Sequence, residues 1–175
     1  MLQNQGSGGS ARSRTVTWQD PFVLANLAGK ASGIDLLQRM VRGEVPLPPI
    51  AELLGFRLIE VEPGKAVFEF EPAEFHYNPI GVVHGGVAAT LLDSAMGCSV
   101  HSTLPPTGGY TTLEFKINLV RAVTMNTGTM RAEGRIVHGG KRAATAEGRL
   151  IDRDGKHYAH GTTTCMIFPP GGERA

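Results

Sequence analysis

Between Asn78 and Asp93 the chain reads Asn-Pro-Ile-Gly-Val-Val-His-Gly-Gly-Val-Ala-Ala-Thr-Leu-Leu-Asp: a polar loop, two glycines, an apolar run and a carboxylate. If Gly85 and Gly86 open a helix, their unpaired N–H groups and the positive end of the helix dipole converge on one point. A carbonyl oxygen gaining negative charge is stabilised there. The missing side chains let such a substrate come close. Asn78 adds an amide donor, and His84 either donates to the same oxygen or braces the loop by bonding a carbonyl. Asp93 stands out because an unpaired carboxylate in an apolar helix is costly to desolvate. Beside an electrophilic carbonyl, a lone acid has two uses: it deprotonates a water, or it attacks the acyl carbon itself.

Spacing constrains how these groups cooperate. Asp93 lies eight residues after Gly85, which a helix converts into roughly 12 Å along its axis. One carbonyl cannot touch both groups within a subunit. If both act on it they come from different chains, so the chemistry itself predicts a homo-oligomer with a shared cleft.

The elements that must hold these residues follow from periodicity. Residues 85–101 form one long helical stretch with few polar positions, which predicts a helix buried on most sides. Before it, Asp20-Pro21 and Ser32-Gly-Ile-Asp35 read as helix starts, placing short helices at 22–28 and 33–42, with one more turn at 50–54 after the prolines at 46, 48 and 49. From Gly55 the period becomes two, and Pro63-Gly64 marks a hairpin turn. Four extended runs follow the long helix, at 111–120, 127–138, 143–152 and 158–168, with Gly139-Gly140 and Asp154-Gly155 as tight turns. In the first, Leu113, Phe115, Ile117 and Leu119 alternate with Thr112, Glu114, Lys116 and Asn118, as in a sheet with one packed and one wet side. The fold class is α+β, an antiparallel sheet wrapped around a central helix. Residues 1–32 read as an extension, disordered over 1–13; 33–168 form the domain and 169–175 a short tail.

Composition narrows the function classes. The 175 residues suit one domain, and 17 basic against 16 acidic side chains leave a net charge of +1, which gives no footprint for nucleic acid. No apolar run reaches the length of a membrane span, so the expectation is a cytoplasmic protein. Cys98 and Cys165 have no metal-type spacing and read as reduced and buried. His157 and His160, three apart on a strand, fall on opposite faces and do not share a metal, and no metal site is apparent.

Asn-x5-His-Gly-Gly-x7-Asp followed by Tyr110-Thr-Thr-Leu-Glu-Phe-Lys-Ile resembles the PaaI-type branch of the hotdog-fold thioesterases, over roughly residues 53–168. The resemblance implies hydrolysis of an aromatic or medium-chain acyl-CoA. Gly85 would polarise the thioester carbonyl, aided by Asn78 and His84, and Asp93 of the partner subunit would be base or nucleophile. Thr111 falls where relatives carry a hydroxyl that orients water, with Thr112 its near neighbour. Gly86, Lys141 and Arg142 would hold CoA, although the bland reading of Lys141 and Arg142 is a solvated hairpin tip. No cofactor is needed, since a thioester is already activated. A dimer of hotdogs, pairing again to a homotetramer, is the implied assembly. The alternative is a non-catalytic acyl-CoA-binding protein of the same fold, against which Asp93 speaks. The acyl pocket would draw on Val87, Leu92, Met96 and the partner.

Overall fold

The computed structural model describes residues 9–170, so what was expected of residues 1–8 and 171–175 lies outside the described residues. Residues 9–13 are exposed and belong to no regular element. Helix α1 (Phe22–Ala28) begins where the Asp20 carboxylate accepts the Phe22 N–H at 2.9 Å. Helix α2 (Gly33–Val41) is capped by Ser32, whose hydroxyl oxygen accepts from the Asp35 N–H. Helix α3 (Pro49–Leu54) starts on a proline at a position that needs no N–H. The Arg14 guanidinium caps its other end, donating to the carbonyls of Leu53 (2.6 Å) and Glu52 (3.2 Å).

Strands β1 (Phe56–Glu62), β2 (Lys65–Phe70), β3 (Gly109–Leu119), β4 (Met130–Gly139), β5 (Ala143–Asp152) and β6 (His157–Phe168) form one antiparallel sheet in the order β1-β2-β4-β5-β6-β3. Helix α4 (Gly85–His101) lies against its inner face, burying Leu91, Leu92, Ala95, Met96 and Val100 completely. A Cβ on Gly134 would sit 2.2 Å from the Ala95 carbonyl oxygen, so a bare backbone in β4 lets the helix rest directly on the sheet. This is the hotdog arrangement read from the sequence. The outer face carries cross-strand ion pairs such as Arg149 with Glu133 (2.7 Å) and Arg57 with Glu69 (2.7 Å). Among the described residues no helix is long and apolar enough to cross a membrane.

The expectation for β3 needs correcting in two respects. Among the described residues it is an edge strand, paired with β6 alone, and Leu113, Phe115, Leu119 and Val120 at or beside it are 43–58% exposed instead of packed. Its alternation is also interrupted: Thr112 pairs with Cys165 and Glu114 with Thr164, leaving Leu113 as an extra, bulged residue. Beyond the bulge Phe115, Ile117 and Leu119 face Thr163, Gly161 and Ala159; before it the residues opposite the inward side of β6 are Thr112 and Tyr110. A second irregularity, where Leu150 pairs with Ala159 but Ile151 with His157, puts His157 and His160 around one hollow on the outer face, against the expectation of opposite faces.

Candidate active site

The loop ahead of α4 is fixed by its own side chains and by neighbouring backbone. Asn78 donates its N–H to the Val82 carbonyl at 2.8 Å, while its Oδ1 accepts from the N–H groups of Ile80 (3.0 Å) and Val82 (3.3 Å). With Oδ1 so engaged, the two amide hydrogens on Nδ2 are left without a partner among the described residues. Val83 and His84 donate their N–H groups to the carbonyls of Val123 and His76. His84 then caps the helix: its Nδ1 accepts the Gly86 N–H at 2.9 Å. The ring thus braces the loop as an acceptor, not by bonding a carbonyl, and its proton resides on Nε2. Gly86 N–H is taken by this cap. The Gly85 N–H has no acceptor among the described residues and is the free donor at the helix start.

Asn78, His84 and Gly85 border a cavity of about 360 Å³ whose wall is largely apolar, with Phe70, Val87, Leu91, Leu150 and Tyr158 among its lining. Val87 lines it as expected. Leu92 and Met96 do not; they are wholly buried beneath the helix against Gly148 of β5. A Cβ on Gly85 would approach Leu119 Cδ1 to 2.5 Å, so the far end of β3 covers this glycine.

Asp93 does not border the cavity. It is half-buried, so the desolvation expected for a carboxylate in an apolar helix is only partly incurred. Thr112 Oγ1 donates to its Oδ1 at 3.0 Å. Around the pair, burial, followed by the charge of Asp93, pushes the Cys98 thiol up to about 12. Burial, with lesser contributions from Cys98, Cys165 and Asp93, also holds the Tyr110 phenol well above its usual range. Both stay protonated at neutral pH.

The other expected residues are scattered. Thr111 is exposed and lines a separate hollow with His101 and Tyr110; the hydroxyl that meets Asp93 belongs to Thr112. Lys141 and Arg142 are exposed on the β4–β5 turn. Eight residues of chain separate Arg142 from Leu150 at the cavity, roughly 26 Å along a strand, so within one chain they do not join Gly86. The cation that does lie at the cavity is Arg121, which no motif singled out. It donates to the His157 carbonyl and its guanidinium lies 5.5 Å from the centre of the Tyr158 ring. Its only sequence signal is a basic residue just past a strand that ends beside the glycine loop. Among the described residues no group of three or more His, Cys, Asp or Glu is placed to hold a metal.

Known proteins point the same way. A sequence model of the thioesterase superfamily matches residues 80–159, which contain the glycine pair, α4 and β3. A 1,4-dihydroxy-2-naphthoyl-CoA hydrolase from Listeria monocytogenes is 29% identical over 107 residues, 61% of this chain and 85% of that protein. The crystal structure of a phenylacetic acid degradation-related protein from Ralstonia eutropha JMP134 superposes with a TM-score of 0.67 at 30% identity, covering 74% of this chain and 98% of that one. The PaaI protein of the E. coli phenylacetic acid degradation operon shares the fold, with a TM-score of 0.67 at 20% identity over 78% of this chain and 94% of that one. Sharing fold and sequence with such proteins across most of its length, the chain belongs to the PaaI-type branch of the hotdog thioesterase superfamily and is a thioester hydrolase.

Proposed function

We propose that the chain hydrolyses the thioester of an aromatic or medium-chain acyl-CoA, as a cytoplasmic homo-oligomer whose active sites lie between two subunits. The observation that carries this reading is the division of the site along β3. The donors Asn78 and Gly85 border the cavity beside Leu119, at one end of the strand, whereas Asp93 is held by Thr112 near the other. Antiparallel pairing of two copies through this unpaired, apolar edge sets the Leu119 end of one against the Thr112 end of the next. Asp93 of one chain then meets Gly85 of the other. A tetramer would follow from pairing of two such dimers.

In the reaction, the acyl group enters the apolar cavity, and the thioester oxygen accepts hydrogen bonds from the Gly85 N–H and the Asn78 amide. His84 holds the helix entrance and presents Nε2–H to the same region. Asp93 of the partner takes a proton from water as its oxygen bonds to the acyl carbon; the C–S bond then breaks, and CoA leaves as a thiolate that takes up the proton. Attack by Asp93 itself, through an acyl-enzyme that water cleaves, uses the same placement. Thr112, which touches the carboxylate, takes the orienting role read for Thr111. The cavity of about 360 Å³ is more than twice the roughly 150 Å³ that accommodates benzene, and so admits either acyl class. Lys141 and Arg142 reach CoA only if they come from the partner, whereas Arg121 stands at the cavity itself.

The test is Asp93→Asn, assayed for CoA release from a panel of aryl and medium-chain acyl-CoAs, with folding followed by thermal unfolding. Loss of turnover in a folded protein supports the reading; undiminished turnover removes it. Wild-type protein that binds the panel tightly without releasing CoA would restore the alternative of a non-catalytic acyl-CoA-binding protein.

A further inference from the structure

The bulge at Leu113 decides which side chain meets Asp93. In an unbroken strand with Phe115, Ile117 and Leu119 facing inward, the next inward residue is Leu113, and Thr112 points away. The extra residue reverses that order, so the hydroxyl at 3.0 Å from the carboxylate exists only because of the bulge.

Something must hold the irregularity in place, and β6 carries an unusual residue beside it, paired with Phe115. Thr163 is 2% exposed and sits on the inward face of β6 between Gly161 and Cys165. A buried hydroxyl costs stability unless it is bonded. Here Oγ1 donates to the Glu114 carbonyl at 2.8 Å, on the residue immediately after the bulge. Cys165, the Cα partner of Thr112, is completely buried two residues along β6 from Thr163. Thr163 is thus bonded to the backbone just past the bulge, and Thr112, just before it, is bonded to Asp93.

We propose that Thr163 is a positioning residue for hydrolysis: its hydroxyl fixes the bulge of β3 that turns Thr112 onto Asp93. The inference rests on the reading of Asp93 given above. Thr163 acts through Thr112 and touches no reacting atom.

Thr163→Val keeps the shape and removes the donor, so the bulge loosens and Thr112 loses its fixed approach to the carboxylate. The expected result is a kcat roughly tenfold lower, the worth of one well-placed hydrogen bond, with KM changed less than about twofold. Thr163→Ser, which keeps the hydroxyl, restores kcat. In a Thr112→Val background, Thr163→Val costs nothing further, because the group it positions is already gone. Full kcat in Thr163→Val overturns the proposal. So does a loss that multiplies with that of Thr112→Val, or a loss of equal size in Thr163→Ser, since either means that Thr163 supports the fold and not Thr112. Asp93→Asn is measured alongside. If it keeps wild-type turnover, the reading of Asp93 fails and the positioning role with it; if it is inactive while Thr163→Val is normal, the positioning role alone is wrong.

Discussion

Two inactive variants should make an active enzyme when mixed. Gly85 is the first residue of α4, and the preceding His84 is extended, with φ −60° and ψ 135°. Proline fits the first helical position and tolerates such a predecessor, so Gly85→Pro removes the free N–H with little change to the helix. A Cβ at this position meets only the side chain of Leu119, Cδ1 at 2.5 Å, the tip of an exposed side chain that can swing aside. Loss of one such donor costs about 2.7–4 kcal/mol in the transition state, or roughly a hundred- to a thousandfold in kcat. Asp93→Asn removes the proposed base or nucleophile. Each pure variant is then inactive at every site. In a mixed dimer, the Asp93→Asn chain still offers Gly85, and the Gly85→Pro chain still offers Asp93, so one site of the two is complete. Random reassortment of equal amounts gives half mixed dimers, hence about a quarter of wild-type turnover. The assay is CoA release after mild dissociation and reassociation, with mock-mixed single variants as controls. Activity that stays at the level of the single variants would refute the split site, because groups acting within one chain cannot complement.

The other expectations test the supports of the site. Phe115→Glu puts a charge on the exposed apolar edge of β3; light scattering should show smaller particles and turnover should fall with them, whereas a fully active monomer would contradict the shared cleft. His84→Ala removes the cap on Gly86 and should cost about 1 kcal/mol of stability, which His84→Asn, a good capping residue, should largely restore; equal denaturation midpoints for all three proteins would deny the cap. His76 is buried, accepts the Ala73 N–H on Nδ1 and donates from Nε2 to the Leu54 carbonyl. Burial, and secondarily the Arg14 charge, lowers its pKa from the ordinary 6.5, while its bonds to Leu54 and Ala73 oppose the shift. The unfolded chain therefore binds this proton more readily. The stabilisation is complete above pH 6.5 and is lost as pH falls from there through the lower folded value. Thermal midpoints of the wild type should decline across that window more steeply than those of His76→Gln, and parallel curves would show that His76 does not titrate as described.

Much of this architecture is legible in the sequence because the decisive signals are local. The apolar run of α4, the Gly-Gly entry, the hairpin turns and the cap at Ser32 each depend on residues a few positions apart, and α4 spans Gly85–His101 as its pattern predicts. The functions of side chains within the loop are less visible. That His84 accepts from Gly86, and that Asn78 spends its oxygen on Ile80 and Val82, depends on backbone angles that residue types leave open. Strand alternation misleads in two places, and the cause is the same in both. One extra residue at Leu113 exchanges Thr111 for Thr112 beside Asp93, and an irregularity near Tyr158 brings His157 and His160 together. A period-two pattern carries no mark of where a bulge falls, since the bulged residue is set by its partner strand; Leu113 falls opposite no residue of β6, between the pairs of Thr112 with Cys165 and Glu114 with Thr164.

In the proposed split site, the edge position of β3 and the need for a second chain have one physical origin. A carboxylate that shared a helix turn with the Gly85 N–H would lie in the same dipole field and occupy the space meant for the substrate oxygen. Eight residues along α4 keep Asp93 clear of that field, but they also carry it out of reach of a carbonyl held at Gly85 of the same chain. An eleven-residue strand with an unpaired edge and exposed leucine and phenylalanine is ordinarily an aggregation hazard. The proposed pairing with its own copy would remove the hazard and return the distant carboxylate to the glycine in the same step, so selection against a naked edge and selection for catalysis would act on the same residues. For that reason substitutions on β3 should rarely separate assembly from turnover. Under the proposed mechanism, Asp93 and Gly85 themselves are the positions where turnover should be lost with assembly intact.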